Sequence, residues 1–193
     1  MTPQAALPNG IVGRAFGLLM EFFNRQAVRD AHALVGQRVT AGGTVVELGF
    51  GTGALIERLA PTYRVIGLDP SPTMLEVTRR RVADAHARGT VVLHLGSSDD
   101  VARLIPSESA DAVLALHSFQ FWARPTETLA AIHAALRPGG LLALFLRSHH
   151  GRAPSWVPNP LAHERDEVAA AAAAMRAAGF LVSVGAAIVG ERQ

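Results

Sequence analysis

The run VVELGFGTGALIERLA, Val45 to Ala60, carries Gly49, Gly51 and Gly53 at every second position between an apolar stretch and a segment of helical character. Glycine inside a regular element costs about 0.5–1 kcal/mol relative to alanine. Three at one junction therefore need a geometric cause, either a tight corner or a ligand that must approach the main chain. Both causes call for a strand, a sharp turn and a helix in that order, the unit from which parallel sheets with crossover helices are built.

The rest of the chain repeats the alternation. Thr44 to Gly49, Arg64 to Leu68, Val91 to Leu95, Ala112 to Leu116 and Gly140 to Leu146 are short apolar runs typical of strands covered on both faces. Helical stretches separate them: Ser71 to Arg88, with Ser71 as N-cap and Pro72 in the first turn, and Pro125 to Leu136, closed by Arg137-Pro138-Gly139-Gly140. A last helix, 161 to 178, ends at Gly179. Phe180 to Val189 then makes a sixth strand, and the fourteen residues after Gly179 leave room for one long strand or a very tight pair. Residues 11 to 36 read as a broken helical segment with Phe16, Leu19, Met20 and Phe23 on one face, and Arg152 to Pro160 as an extended Pro-rich surface loop. The expected architecture is α/β, a doubly wound, mostly parallel sheet of six to seven strands. It forms one domain over 1–193, with an N-terminal helical cap over 1–40 and an α/β core over 41–193.

Composition narrows the partners. With 49% hydrophobic and 18% charged residues the chain is far from disordered, and a net charge of +2 implies no field for nucleic acid. Arg79-Arg80-Arg81, with Arg88, reads as a solvated helix face in preference to a phosphate site. There is no cysteine, which removes disulfides, thiolate metal sites and cysteine nucleophiles. The longest apolar runs, such as Leu141 to Leu146, are strand-sized, and the N-terminus lacks a charged segment followed by an apolar core. A soluble cytoplasmic protein without membrane or nucleic-acid partners is expected.

In doubly wound sheets ligands bind beyond the carboxyl ends of the strands, and the first strand-to-helix turn is glycine-rich so that the main chain can approach them. An acid about 20 residues on hydrogen-bonds a ribose at such sites. Asp69 stands twenty residues after Gly49, at the end of YRVIGLD. Capping of the helix that begins near Ser71 is the competing structural role for Asp69. The expected ligand contains a ribose, and Gly49-x-Gly51-x-x-Ala54 taken alone also satisfies the dinucleotide pattern.

Glu47 lies two residues before the first glycine, so ELGFGTG resembles the acidic residue and G-x-G-x-G turn of class I S-adenosylmethionine-dependent methyltransferases. The likeness continues through GLDPSPTML (Gly67 to Leu75), DAVLALHSFQFW (Asp111 to Trp122) and ALRPGGLLAL (Ala135 to Leu144). It covers about residues 41 to 147. The resemblance implies a Rossmann-like methyltransferase fold, S-adenosyl-L-methionine as cofactor, and in-line transfer of a methyl group to a small-molecule acceptor. It implies that the methionine part lies along Glu47, Gly49, Phe50, Gly51 and Gly53, that Asp69 accepts from both ribose hydroxyls, and that Pro70 and Met74 flank adenine. Leu116 and His117 are implied contacts from the end of the fourth strand. Where the family often has an aspartate for adenine's amino group this chain has Ser97, with Ser98 or Asp99 as replacements. The Asn/Asp-Pro-Pro-aromatic tetrad of enzymes that methylate nucleic-acid bases or glutamine is absent, Leu116-His117-Ser118-Phe119 standing there instead, which argues against base flipping.

A base is needed only where the acceptor must lose a proton. His117 after the fourth strand, and His149 with His150 after the fifth, are the candidate catalytic bases, against the competing role of hydrogen-bonded histidines at strand ends. No metal is expected: Asp99 and Asp100 fall opposite the implied cofactor, and His149, His150 and His163 match no standard ligand spacing. Phe16, Phe22, Phe23, Phe119, Phe121, Trp122 and Trp156 fall in segments that recognise the acceptor in this family, which suits an apolar or aromatic small molecule; core packing is the competing role. Two other classes stay open, an NAD-dependent oxidoreductase and a non-catalytic nucleoside-binding member. In the second, a strand missing at the short C-terminus leaves a sheet edge for another chain to cover, as in a homodimer. Walker-type phosphate binding fails because no Lys-Ser/Thr follows the glycines.

Overall fold

The computed structural model describes residues 10–146 and 165–193, without the side chains of 11–20, 23, 165 and 166. Seven strands form one sheet in the order β3-β2-β1-β4-β5-β7-β6. At its centre β1 (Thr44–Leu48) runs parallel to β2 (Arg64–Asp69) on one side and β4 (Ala110–Leu116) on the other, with Val46 opposite Ile66 and Val113. β3 (Val91–Leu95) and β5 (Leu136–Phe145) extend the two sides, again in parallel. Strand order thus reverses between β1 and β4, and the crevice at their carboxyl ends is where such sheets take ligands.

Side chains alternate across a strand, and both faces here are covered. Val45 and Val46 are each 0% exposed, yet they belong to different apolar clusters. Val45 packs with α1 (Gly10–Arg38), α2 (Ala54–Leu59), α3 (Pro72–Arg81) and α4 (Ala83–Ala87) through Val35, Leu59, Met74 and Ala85. Val46 packs with α5 (Val101–Leu104), α6 (Pro125–Ala135) and α7 (Arg165–Ala177) through Val101, Ile132 and Met175. The three-layer, doubly wound architecture is the expected one.

Several boundaries differ from expectation. The N-terminal segment is one unbroken helix of 29 residues, because Val28, Ala31 and Val35 lie on one face buried against the sheet and tertiary packing overrides the glycines within it. Ser71 caps α3 as expected, accepting from Met74 N at 3.2 Å, but the helix to Arg88 breaks at Val82, φ −110°, into α3 and α4. α6 stops at Ala135, and Leu136 already pairs with Ala110; Arg137 to Gly140 then bulge out before Leu141 pairs with Ala112. α5 had no periodic signal in four residues.

The single sixth strand from Phe180 to Val189 is corrected. β6 (Phe180–Val184) and β7 (Ile188–Arg192) form a tight antiparallel pair, with β7 inserted between β5 and β6 and antiparallel to both. Gly185 N donates to Ala187 O at 2.9 Å across the turn, and Gly190 admits Met175 and Phe180, which a Cβ would meet at 2.7 and 2.9 Å. The last helix is described from Arg165, and the expected loop Arg152 to Pro160 lies outside the described residues.

Candidate functional site

Gly49, Gly51 and Gly53 all hold positive φ, at +76°, +53° and +76°. Their surroundings separate two causes that the sequence left joined. A Cβ on Gly49 would stand 2.6 Å from Ser118 Cβ, and one on Gly53 would stand 2.4 Å from Thr78 Cγ2. A Cβ on Gly51 would meet nothing within 4 Å. The outer glycines are therefore corners packed against the chain, and only Gly51 combines the left-handed backbone with open space.

That space is a cavity of about 200 Å³ at the carboxyl ends of β1, β2 and β4. Of the expected cofactor contacts, Glu47, Gly49, Phe50, Gly51, Asp69, Pro70, Met74, Ser97, Ser98, Leu116 and His117 line it. Gly53 is not among the lining residues; it packs on Thr78.

Asp69 ends β2 at 5% exposure with both oxygens anchored: Oδ2 accepts from Gly51 N and Oδ1 from Ser71 N, each at 2.8 Å. Burial pushes this carboxyl up to about 6 against the downward pull of the two amides. A carboxylate has about four acceptor positions, so two amide bonds leave capacity for further donors. The expected capping role of Asp69 is corrected: Ser71 itself caps α3 through Met74 N, and Asp69 holds the amide of that N-cap residue.

Glu47 is 3% exposed and its Oε2 has no hydrogen-bond partner among the described residues. Burial, and then the charge of Asp69, push it up to about 8. An acid so displaced is largely neutral near pH 7 until a cation or donor arrives. An orphaned buried oxygen, a bare Gly51 and an anchored Asp69 along one wall fit a cationic nucleoside.

At the third strand's end Ser97 caps the turn Ser98–Asp100, accepting from Asp99 N at 3.2 Å while Asp100 Oδ2 accepts from Ser97 N at 2.9 Å. Asp99 is instead drawn to α6, accepting from Arg124 at 3.2 Å and Thr128 at 3.3 Å, and does not line the cavity.

His117 follows β4 with φ +53°, donating its amide to Phe145 O at 2.8 Å and accepting Gln120 Nε2 on its carbonyl at 2.7 Å. Phe121 and Trp122 line the cavity beside it, with Phe119 packed edge-on against Trp122 at 5.0 Å. Phe22, expected in the acceptor wall, is instead exposed on α1 beneath Arg25, 4.7 Å from its ring centroid. Phe16, Phe23, His149, His150, Trp156 and His163 have side chains outside the described residues. Among the described residues, no group of three or more His, Asp or Glu is placed to hold a metal ion, and no helix is long and apolar enough to cross a membrane.

Sequence reasoning missed the wall that α1 supplies, Glu21, Asn24 and Val28, and Thr52 within the glycine turn. Arg81 is also not the solvated arginine expected. Its Nη1 and Nη2 each donate to Glu21 at 2.9 Å, and Nη1 donates to Thr52 O at 2.9 Å. Partial burial raises the Glu21 carboxyl, but the bonds from Arg81 and Thr52 and the charges of Arg81 and Arg25 outweigh it and hold the group below its ordinary value.

Residues 46–144, 99 of the 193, match the family model described as a methyltransferase domain. A demethylmenaquinone methyltransferase of Symbiobacterium thermophilum is 32% identical over 124 residues, 62% of this chain and 46% of that protein. A trans-aconitate 2-methyltransferase of Paracidovorax citrulli is 33% identical over 128 residues, 63% of this chain and 46% of that protein. The chain thus spans about half the length of these curated relatives. Among solved structures, a putative S-adenosyl-L-methionine-dependent methyltransferase from Methanococcus maripaludis superposes with a TM-score of 0.71 over 92% of each chain at 18% identity, a likeness of fold.

Proposed function

The chain belongs to the methyltransferase domain family, and from that premise we propose that it transfers a methyl group from S-adenosyl-L-methionine to a small-molecule acceptor. The observation that carries this reading is the pairing of an open Gly51 with Asp69, whose two oxygens are held by the Gly51 and Ser71 amides. When bound, the cofactor supplies a methyl group on a sulfonium that leaves as a neutral thioether. The protein's part is to bind, orient and exclude water. Of the residues that line the cavity, Asp69 would accept from the ribose hydroxyls, Glu47 would face the cationic amino-acid tail, Pro70 and Met74 would flank the base, and Ser97 and Ser98 would edge it. In this reading residues 1–193 act as one domain, with α1 as its cap.

Positioning carries most of the rate, since well-oriented intramolecular reactions reach effective molarities of about 10⁵–10⁸ M. His117, on the cavity wall, takes the acceptor's proton where one must be lost. Val28, Phe121 and Trp122 support an apolar or aromatic acceptor. The named relatives act on a demethylmenaquinone and on trans-aconitate, so the family admits both ring and carboxylate substrates. Turnover of labelled methyl donor against a panel of neutral aromatic nucleophiles tests the proposal. Label in product supports it; cofactor binding with no transfer to any nucleophile supports the non-catalytic reading instead. The family match disfavours the dinucleotide reading, and NADH is the control ligand.

The sheet has both C-terminal strands, so the expected missing strand is corrected; what supports a homodimer instead is the β6 edge strand, whose Leu181 and Val184 are 60% and 54% exposed among the described residues. Sedimentation velocity on dilution tests it, and a monomer at every concentration removes it.

A further inference from the structure

Arg81 is the last residue of α3 and is turned inward, while Arg79 and Arg80 are exposed. Its guanidinium grips both oxygens of Glu21 on α1 and at the same time the carbonyl of Thr52 in the glycine turn. Thr52 Oγ1 closes the ring by donating to Glu21 Oε2 at 2.8 Å, and Glu57 of α2 approaches Nε at 3.4 Å. The paired side chains are only 23% and 24% exposed, so the two-pronged bond is partly shielded from solvent and salt.

The network runs on from there to the nucleoside side of the turn. Thr78, one turn back on α3, donates to Gly51 O at 2.9 Å, and Gly51 N donates to Asp69. Glu21 and Thr52 both line the cavity, whereas Arg81 does not. Arg81 therefore reaches the site only through the helix that walls it and the turn that floors it. Helix α1 cannot leave the mouth of the cavity without releasing two charge-assisted bonds, and the same guanidinium then loses its hold on the turn.

We propose that Arg81 is a positioning residue that latches α1 to the glycine turn, so that the wall formed by Glu21, Asn24 and Val28 and the main chain at Gly51 close on a bound nucleoside together. The proposal rests on the nucleoside-binding reading above for its ligand, but the latch itself exists in the free protein. Arg81→Met removes it, and Glu21→Gln, with no change of side-chain size, takes away its charge and one of the two acceptor oxygens of the fork. Amide hydrogen exchange without ligand should then quicken at least about ten-fold over residues 21–28 while β1 and β4 keep their protection. In stopped flow, S-adenosylhomocysteine should leave both variants at least about ten-fold faster than the wild type. Arg81→Lys should fall between, since an ammonium keeps the charge but not the fork. The double variant should be little worse than either single one.

Exchange over 21–28 that stays within about two-fold of wild type in both variants overturns the latch, as does exchange that rises equally in β1 and β4, which marks a merely structural pair. Unchanged ligand release in both variants overturns the coupling. Failure of the wild type to bind S-adenosylhomocysteine refutes the methyltransferase reading, and the exchange measurement still decides the latch alone.

Discussion

His117 is held at φ +53° although it carries a full side chain. For an L-residue that region costs about 1–2 kcal/mol, and such strain persists where the surroundings over-determine it. Here the Phe145 carbonyl, the Gln120 amide and the cavity wall do so. His117→Gly should therefore unfold at a higher temperature than wild type while turning over more slowly, and a variant that is both less stable and equally active contradicts this role. The glycines give a second contrast. Gly49→Ala and Gly53→Ala meet Ser118 and Thr78 and should lower the melting temperature by several degrees. Gly51→Ala, which meets nothing, should cost less stability and weaken S-adenosylhomocysteine binding instead. Gly51 and Asp69 were legible in the sequence because a turn motif and its spacing are local. The Glu21–Arg81 pair was not, because its partners are 60 residues apart and neither sits in a motif.

At the level of elements, the parallel strands were readable as apolar runs because burial on both faces removes the need for alternation. The C-terminal pair was harder: Phe180 to Val189 looks continuous in hydropathy, and only the small residues Gly185 to Ala187 mark the turn that splits it. The unbroken α1 was hidden because its stability comes from Val28, Ala31 and Val35 against the sheet, which no local propensity reports. Ser71, by contrast, announced itself. Ser71→Ala loses the bond to Met74 N and should destabilise the fold by about 1 kcal/mol in urea titration, with Asp69 still held by the unaltered main-chain amide at that position.

Across the whole molecule, the reversal of strand order between β1 and β4 brings Glu47, Asp69 and His117 to one end of the sheet, and two buried acids there set a pH response. Both carboxyls keep their protons to higher pH folded than unfolded, so the folded state binds more protons between the ordinary carboxylate range and about 6 for Asp69 and about 8 for Glu47. Their contribution to stability is complete below the ordinary range and is lost as pH rises through those values. Glu21 and Asp100 are held below their ordinary values and titrate under that window. The melting temperature of the ligand-free protein should thus fall between about pH 5 and pH 8, and Glu47→Gln should flatten the decline. The claim on which the rest depends is that Asp69, anchored beside open Gly51, grips a nucleoside. Titration calorimetry of S-adenosylhomocysteine against wild type and Asp69→Asn, with folding checked by melting temperature, tests it most directly. Saturable binding by the wild type that weakens at least about ten-fold in the variant is the predicted result; no binding by the wild type, or equal affinity in both, contradicts it.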